Sequence, residues 1–425
     1  MSRRHLSRRA LIGSTAAAAG LAALPRAARA AVSPTDRRFL FIYTTGGWDP
    51  VFAFAPLLGL DSVHTEPDAV EAVVGNLPYV SHPDRPSVDD FFSLYGSQLA
   101  VINGVYVPSI SHGTALRLMT TGNITGSGGD WPTRIGAARS DAFLIPHLLV
   151  GGPGFAGDYG MFVARASSSS QLADLTSGDI LVNTDVPFPL PDPGASELID
   201  AWLASSTADR AASAETPTRQ RLAEGFVTSL DRAGELKVVS ADLSLSGGKN
   251  FEDQLQLGIE VLAAGISRCV TVNHPSRSAL TMWDTHADNH FQQSELFEDL
   301  FSHLLDLQVT LATTPGTVAA TLAEEVVIVV LSEMGRTPIM NSSGGKDHWP
   351  YTSAIAFGPG IAGGQAVGGF NSDEIGYRVN PTSGAIDDGG ILLGQDTLGA
   401  TLMQVAGITP SESGYSGELL SAILA

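Results

Sequence analysis

Aspartate, glutamate and histidine recur in this chain directly behind short apolar runs. Those are the positions from which a buried strand delivers a side chain to a surface cleft. After the run at residues 39–43 come Gly46, Gly47, Trp48 and Asp49, where two glycines permit a tight turn and set Asp49 near the sheet edge. An ordinary turn aspartate is the plain alternative. After 99–102 come Ser111 and His112. A hydroxyl entering a helix N-terminus is either a cap or a nucleophile whose developing charge the helix dipole favours. After 268–272 come Asp284 and His286, then Asp288 and His290. A carboxylate and an imidazole two residues apart point the same way from extended backbone and can share one cation, whereas Asp284 or Asp288 could equally cap the helix that follows. After 326–331 come Glu333 and Arg336, and then Asp347 and His348 behind Gly344, Gly345 and Lys346. A carboxylate straight off a buried strand is costly unless it is paired or binds a metal, and Arg336 is the available ion partner.

Taken singly, each segment reads as a cap or a turn. Together they put carboxylate, hydroxyl and imidazole groups at four successive strand ends, which one shared site explains better than four separate caps. Mixed carboxylate and imidazole ligands without thiolates suit zinc or manganese, with iron a third fit, whereas an all-oxygen set would suit calcium or magnesium. One or two divalent cations are expected; a pair ~3.5–4 Å apart could activate a hydroxyl and stabilise a leaving oxygen. The single cysteine, Cys269, excludes an intramolecular disulfide framework and any multi-cysteine metal cluster.

The elements that must hold these groups are legible in the same runs. Residues 39–43, 99–102, 268–272 and 326–331 are continuous bulky stretches rather than alternating ones, as expected of strands covered on both faces. Helical periodicity fills the intervals at 251–266 and 291–311. The alternation predicts a doubly wound α/β fold, with a mostly parallel central sheet and helices on both faces. Residues 31–425 read as one such domain. The stretch from about 167 to 235, with its serine run at 167–170 and prolines at 187, 189, 191 and 193, reads as an insertion or cap.

Composition narrows the function. Lys+Arg number 24 against 44 Asp+Glu, a formal charge of −20 over 425 residues. That balance excludes a nucleic-acid backbone binder and adhesion to an anionic membrane. Residues 1–30 have a basic head, a short Ala/Gly-rich apolar run and an Ala28-Arg29-Ala30 cleavage pattern, and Ser7-Arg8-Arg9-Ala10-Leu11-Ile12 fits a twin-arginine export signal. The expectation is a mature protein in the periplasm or outside the cell, with no membrane span. The leader carries six arginines and no acid, so its removal leaves a still more acidic chain.

The segments Gly46-Gly47-Trp48-Asp49, Ser111-His112, Trp283-Asp284-Thr285-His286, Ser332-Glu333-Met334-Gly335-Arg336-Thr337 and Gly344-Gly345-Lys346-Asp347-His348 resemble the family called domain of unknown function 1501. That family is similar to the alkaline phosphatase and sulfatase superfamily, and the resemblance runs from about residue 38 to the C-terminus. It implies an alkaline-phosphatase-like fold and a divalent-metal site. Asp49, Asp284, His286, Glu333, Asp347 and His348 would be metal ligands. Ser111 would be the nucleophile, and His112 and Arg336 its catalytic neighbours, with Arg336 neutralising a bound anion. The implied activity is a hydrolase or transferase acting on phosphate or related esters, of a small molecule or a polymer. No cysteine stands at the helix start, so formylglycine chemistry is not implied. The rival expectation is a non-catalytic binding or assembly protein of the cell envelope that keeps the fold.

Overall fold

The computed structural model describes residues 32–166, 192–240, 250–275, 281–413 and 417–425. The leader expected at 1–30 and the serine run at 167–170 lie outside them. Eight strands form the main sheet: β1 (Arg38–Tyr43), β2 (Leu99–Tyr106), β3 (His147–Leu149), β4 (Val163–Arg165), β5 (Cys269–Asn273), β6 (Val326–Leu331), β7 (Tyr351–Phe357) and β8 (Gln365–Gly368). Their order across the sheet is β8-β2-β7-β6-β1-β5-β3-β4. Every pairing is parallel except those of β7, which runs against β2 and β6. The mostly parallel sheet expected from the apolar runs is therefore present, with one antiparallel strand inserted into it.

The runs are continuous because alternate residues serve two cores. On β1, Leu40 and Ile42 face a core shared with Ile328, Val330, Phe297 and Trp283, whereas Phe39, Phe41 and Tyr43 face another with Val327, Val329 and Leu331. The helices Pro86–Tyr95, Phe251–Ala263 and Asn289–Thr313 cover the first face. His112–Thr121, Trp131–Ala137 and Gln395–Val405 cover the second. Fully burying each large apolar side chain contributes about 1.5–3 kcal/mol, so a polar substitution within these strands is not tolerated. No helix among the described residues is long and apolar enough to cross a membrane.

Register makes the strand ends flush. Tyr43 stands level with Asn273 on one side and Leu331 on the other, so the segments leaving β1, β5 and β6 emerge together. β2 runs parallel to β6, and β7 begins at the same edge, with Tyr351 beside Tyr106. All the segments singled out from sequence leave or enter the sheet at this edge. The region expected to be an insertion holds two long helices, Pro193–Ala212 and Pro217–Ser240. Its second helix meets the body at 141–144, with Arg232 donating to the Ser140 carbonyl.

One core histidine makes a prediction about acid stability. His147 is fully buried between Thr133 Oγ1 and Thr271 Oγ1, each 2.9 Å from a ring nitrogen. Burial pushes its pKa down from 6.5 to about 4, with nearby Asp130 opposing the shift. The folded state thus holds the neutral ring, and its preference is complete above about 6.5 and lost as pH falls toward 4. The shift corresponds to roughly 3 kcal/mol. In chemical denaturation followed from pH 7 to 4, His147→Gln is expected to flatten the acid-side loss of stability; an unchanged slope would remove His147 as its source.

Candidate metal centre

Backbone chemistry brings the strand ends into contact. Gly46 has φ +130°, and a Cβ there would lie 2.8 Å from the backbone nitrogen of Asp284. A Cβ on Gly345 would fall 2.0 Å from the His286 carbonyl carbon. Glycine at both positions is what lets the segments after β1, β5 and β6 pack main chain against main chain. Arg336 then ties them together. Its side chain is fully buried; Nε donates to the Gly47 carbonyl at 2.9 Å, Nη1 to Lys346 at 3.1 Å, and Nη2 to the Trp283 carbonyl at 3.0 Å and to Asp284 Oδ1 at 2.7 Å. Nη2 also reaches the Gly46 carbonyl.

Three imidazoles converge on Asp284. His286 Nε2 and His348 Nε2 lie 3.1 and 3.0 Å from Asp284 Oδ1, and His112 Nε2 lies 3.2 Å from Oδ2. The Nε2 atoms of His286 and His348 are themselves 3.0 Å apart. Each ring is held by its other nitrogen: His112 Nδ1 by Glu333 Oε1 at 2.7 Å, His286 Nδ1 by Asp347 Oδ1 at 2.9 Å, and His348 Nδ1 by the Ile110 carbonyl at 2.7 Å. A carboxylate or carbonyl accepts, so each Nδ1 carries a proton and each Nε2 is turned inward, able to bind a cation once the ring is neutral. Three Nε2 atoms and a carboxylate this close need positive charge among them, which either protons or a cation can supply. Bonds of 2.0–2.1 Å to a tetrahedral zinc put neighbouring ligand atoms about 3.3 Å apart, close to the spacings here. Holding a ligand imidazole by an outer carboxylate or carbonyl is also the usual support of such sites. Among the described residues, the group His112, Asp284 and His348 is the one whose ligand atoms all lie within 4.8 Å of each other.

The charge count agrees. Asp284, Glu333 and Asp347 bring three carboxylates against one guanidinium, Arg336, leaving two negative charges for a divalent ion to offset. Hydrogen bonds to Asp284 and then to Glu333 raise the His112 pKa to about 9, against the effect of burial. Burial acts to raise the Asp284 pKa, but hydrogen bonds from His112, Arg336 and His348, with the Arg336 charge, hold it well below the ordinary carboxylate range. The side chains of Asp284 and His112 are about a third exposed and that of His286 about half, so the centre opens to solvent.

Several residues stand in roles other than those implied by resemblance. Glu333 is buried and spends its carboxylate on His112 Nδ1, on the Gly46 N–H at 2.9 Å and on Ser332 Oγ at 3.3 Å, so it holds the outer side of the His112 ring and does not face the inner Nε2 atoms. Asp347 does the same for His286. His112, expected beside the reacting group, presents Nε2 to the cation position. Arg336 is not available to a substrate anion, because it is fully buried with its donors turned to carbonyls and Asp284. Asp49 makes none of the cluster's contacts; it is fully buried against Lys346 and Asn289. Asp288 occupies the N-cap position before the Asn289–Thr313 helix, yet its side chain makes no cap bond. His290 packs near the Phe52 ring instead of joining His286.

Ser111 lies in the loop that leads into this cluster. It is the exposed N-cap residue of the His112–Thr121 helix, and its hydroxyl makes no cap hydrogen bond. The hydroxyl is thus not consumed by capping. Its neighbour Ile110 accepts from His348, and its other neighbour is His112, so the loop is anchored to the cluster on both sides. Three residues with no expected role also shape the site: Lys346, Asn289 and Gln293, the last accepting from Asp49 N and donating to Gly47 and Trp283 carbonyls. Only Lys346, a rare lysine inside the GGKDH stretch, carried a signal that sequence could have used.

A family model described as "Protein of unknown function (DUF1501)" matches residues 94–388, and the chain belongs to that family. No curated protein sequence matches it significantly. Among solved structures it is similar to Ps i-CgsB (9% identity, TM-score 0.40, covering 90% of this chain and 74% of that one). It is also similar to a 2-O GAG sulfatase (11%, 0.34, 90% and 75%) and to the phosphonate monoester hydrolase of Agrobacterium radiobacter (10%, 0.32, 90% and 78%).

Proposed function

From the three imidazoles converging on Asp284, we propose that this DUF1501 member is a metal-dependent hydrolase or transferase of phosphate or related esters, built on an alkaline-phosphatase-like plan. His112, Asp284, His286 and His348 would hold a divalent ion, with zinc or manganese the best fit to nitrogen-rich ligands. When bound, the ion supplies Lewis-acid polarisation of the ester oxygens and offsets their charge. Glu333, Asp347 and the Ile110 carbonyl aim the rings, and Arg336 fixes Asp284. The Ser111 oxygen attacks the phosphorus or sulfur centre as its proton passes to solvent; the bond to the leaving alcohol oxygen breaks, that oxygen takes a proton from water, and water or an acceptor alcohol then releases the group from Ser111. The N-terminus of the His112–Thr121 helix provides free N–H donors for the anion, which matters in so acidic a chain. Substrates would be small-molecule or polymer esters. The leader supports export by the twin-arginine pathway.

The test is hydrolysis of an aryl phosphate and an aryl sulfate by purified, metal-loaded protein. Ser111→Ala is expected to lower kcat by at least about 10³-fold with metal content unchanged. Equal rates in both proteins would remove Ser111 as the nucleophile. The internal use of Arg336 favours one rival, an envelope binding protein that retains the cation without catalysis; it predicts full metal occupancy and no turnover in either assay.

A further inference from the structure

We propose that the Lys346 ammonium is a resident cation occupying the place of a second metal ion, so that the centre is mononuclear and Asp49 is not one of its ligands. This rests on the metal-site reading above and specifies its stoichiometry. Lys346 Nζ lies 2.8 Å from Asp49 Oδ2, and both side chains are fully buried. The same oxygen accepts from Asn289 Nδ2 at 3.0 Å, and Oδ1 faces the Val51 N–H at 3.4 Å. The Asp49 carboxylate is therefore already neutralised and solvated by protein. A divalent ion there would have to displace two donors and sit beside a buried positive charge, which a low-dielectric interior penalises heavily. A further buried acid, Glu374, lies within electrostatic reach of this pair, and neither of its carboxylate oxygens has a hydrogen-bond partner. The one ammonium thus already balances the one carboxylate it touches, and no group of three metal-binding side chains forms around Asp49 among the described residues.

The ammonium also has a positioning effect. Lys346 N donates to the Thr285 carbonyl at 2.9 Å, and its own carbonyl accepts from Arg336. Asp347 and His348 follow immediately. Pairing with Asp49, which belongs to the β1 end, pins this ligand-bearing segment from beneath. The geometry assigns Lys346 the role that two-metal sites give to their second ion: charge compensation and alignment of the first-strand carboxylate.

The test is zinc content by mass spectrometry after loading the exported protein with Zn²⁺ and removing free metal. Wild type should retain one zinc per chain, Asp49→Asn/Lys346→Met also one, and Asp284→Ala markedly less than one. The double variant removes both charges at once, so no buried charge is left unpaired. Two zincs per wild-type chain, or loss of zinc from the double variant with circular dichroism unchanged, would overturn the proposal. If the double variant fails to fold, the wild-type count decides alone. No zinc in the wild type would instead overturn the metal-site reading on which the proposal rests.

Discussion

Asp284→Ala is expected to shrink sharply the response of the protein's melting temperature to a chelator. In the wild type, metal bound only to the folded state adds RT ln(1 + [L]/Kd) to stability, and EDTA removes that increment. Asp284 is the shared acceptor of His112, His286, His348 and Arg336, so no other residue substitutes for it. Structural zinc sites gain about 10–16 kcal/mol from their ligands together, so one of four is worth roughly 3 kcal/mol, on the order of a hundredfold or more in affinity. The loss extends past the missing oxygen: the buried Arg336 guanidinium loses its only carboxylate hydrogen-bond partner among the described residues. Differential scanning fluorimetry of both proteins, with and without EDTA, reads this directly. An EDTA shift in the variant equal to that of the wild type would mean that the metal, if bound, sits elsewhere.

Lys346→Met should destabilise the fold by about 3–5 kcal/mol, because it leaves the Asp49 carboxylate buried without its counter-ion. Methionine keeps the length and apolar stem of the side chain, so the change isolates the charge. Asn289 still donates to Oδ2, but one neutral donor does not offset a fully buried carboxylate. Glu374 responds in the same pocket. Burial raises its pKa to about 8 while Lys346 pulls it down, so removing Lys346 leaves the pocket with no positive group beside its acids. Asp49→Asn in the same chain is expected to recover most of the loss, since neutral replacement of a whole buried pair is often tolerated. Urea denaturation of wild type, single variant and double variant gives the coupling. A single variant within about 0.5 kcal/mol of wild type would show that the pair contributes nothing net.

How much of this was legible beforehand depends on the kind of information. Residues 39–43 and 326–331 announce fully buried strands because both faces of β1 and β6 meet a core, leaving no polar alternation to see. The antiparallel course of β7 is invisible in the same way, since residues 351–357 are as continuously buried as a parallel strand would be. The site's members were legible as types at strand ends, and Asp284, His286 and His348 do meet. His112 carried the weaker signal, standing beside a serine that drew the chemical interest.

The chain's own order of residues determined that carboxylates, imidazoles and one hydroxyl would leave the sheet at a single edge, because strand register makes successive carboxyl ends flush. It also determined that glycines would let those segments touch. The division of labour among the acids was decided only by the tertiary structure. Asp284 faces three Nε2 atoms, Glu333 and Asp347 hold Nδ1 protons, and Asp49 is closed off by an ammonium. The reason is physical: spacing along a chain says which groups arrive at an edge, but a carboxylate becomes a ligand, an orienting partner or half of an ion pair according to which lone pair or proton stands 3 Å away, and those neighbours come from segments far apart in sequence.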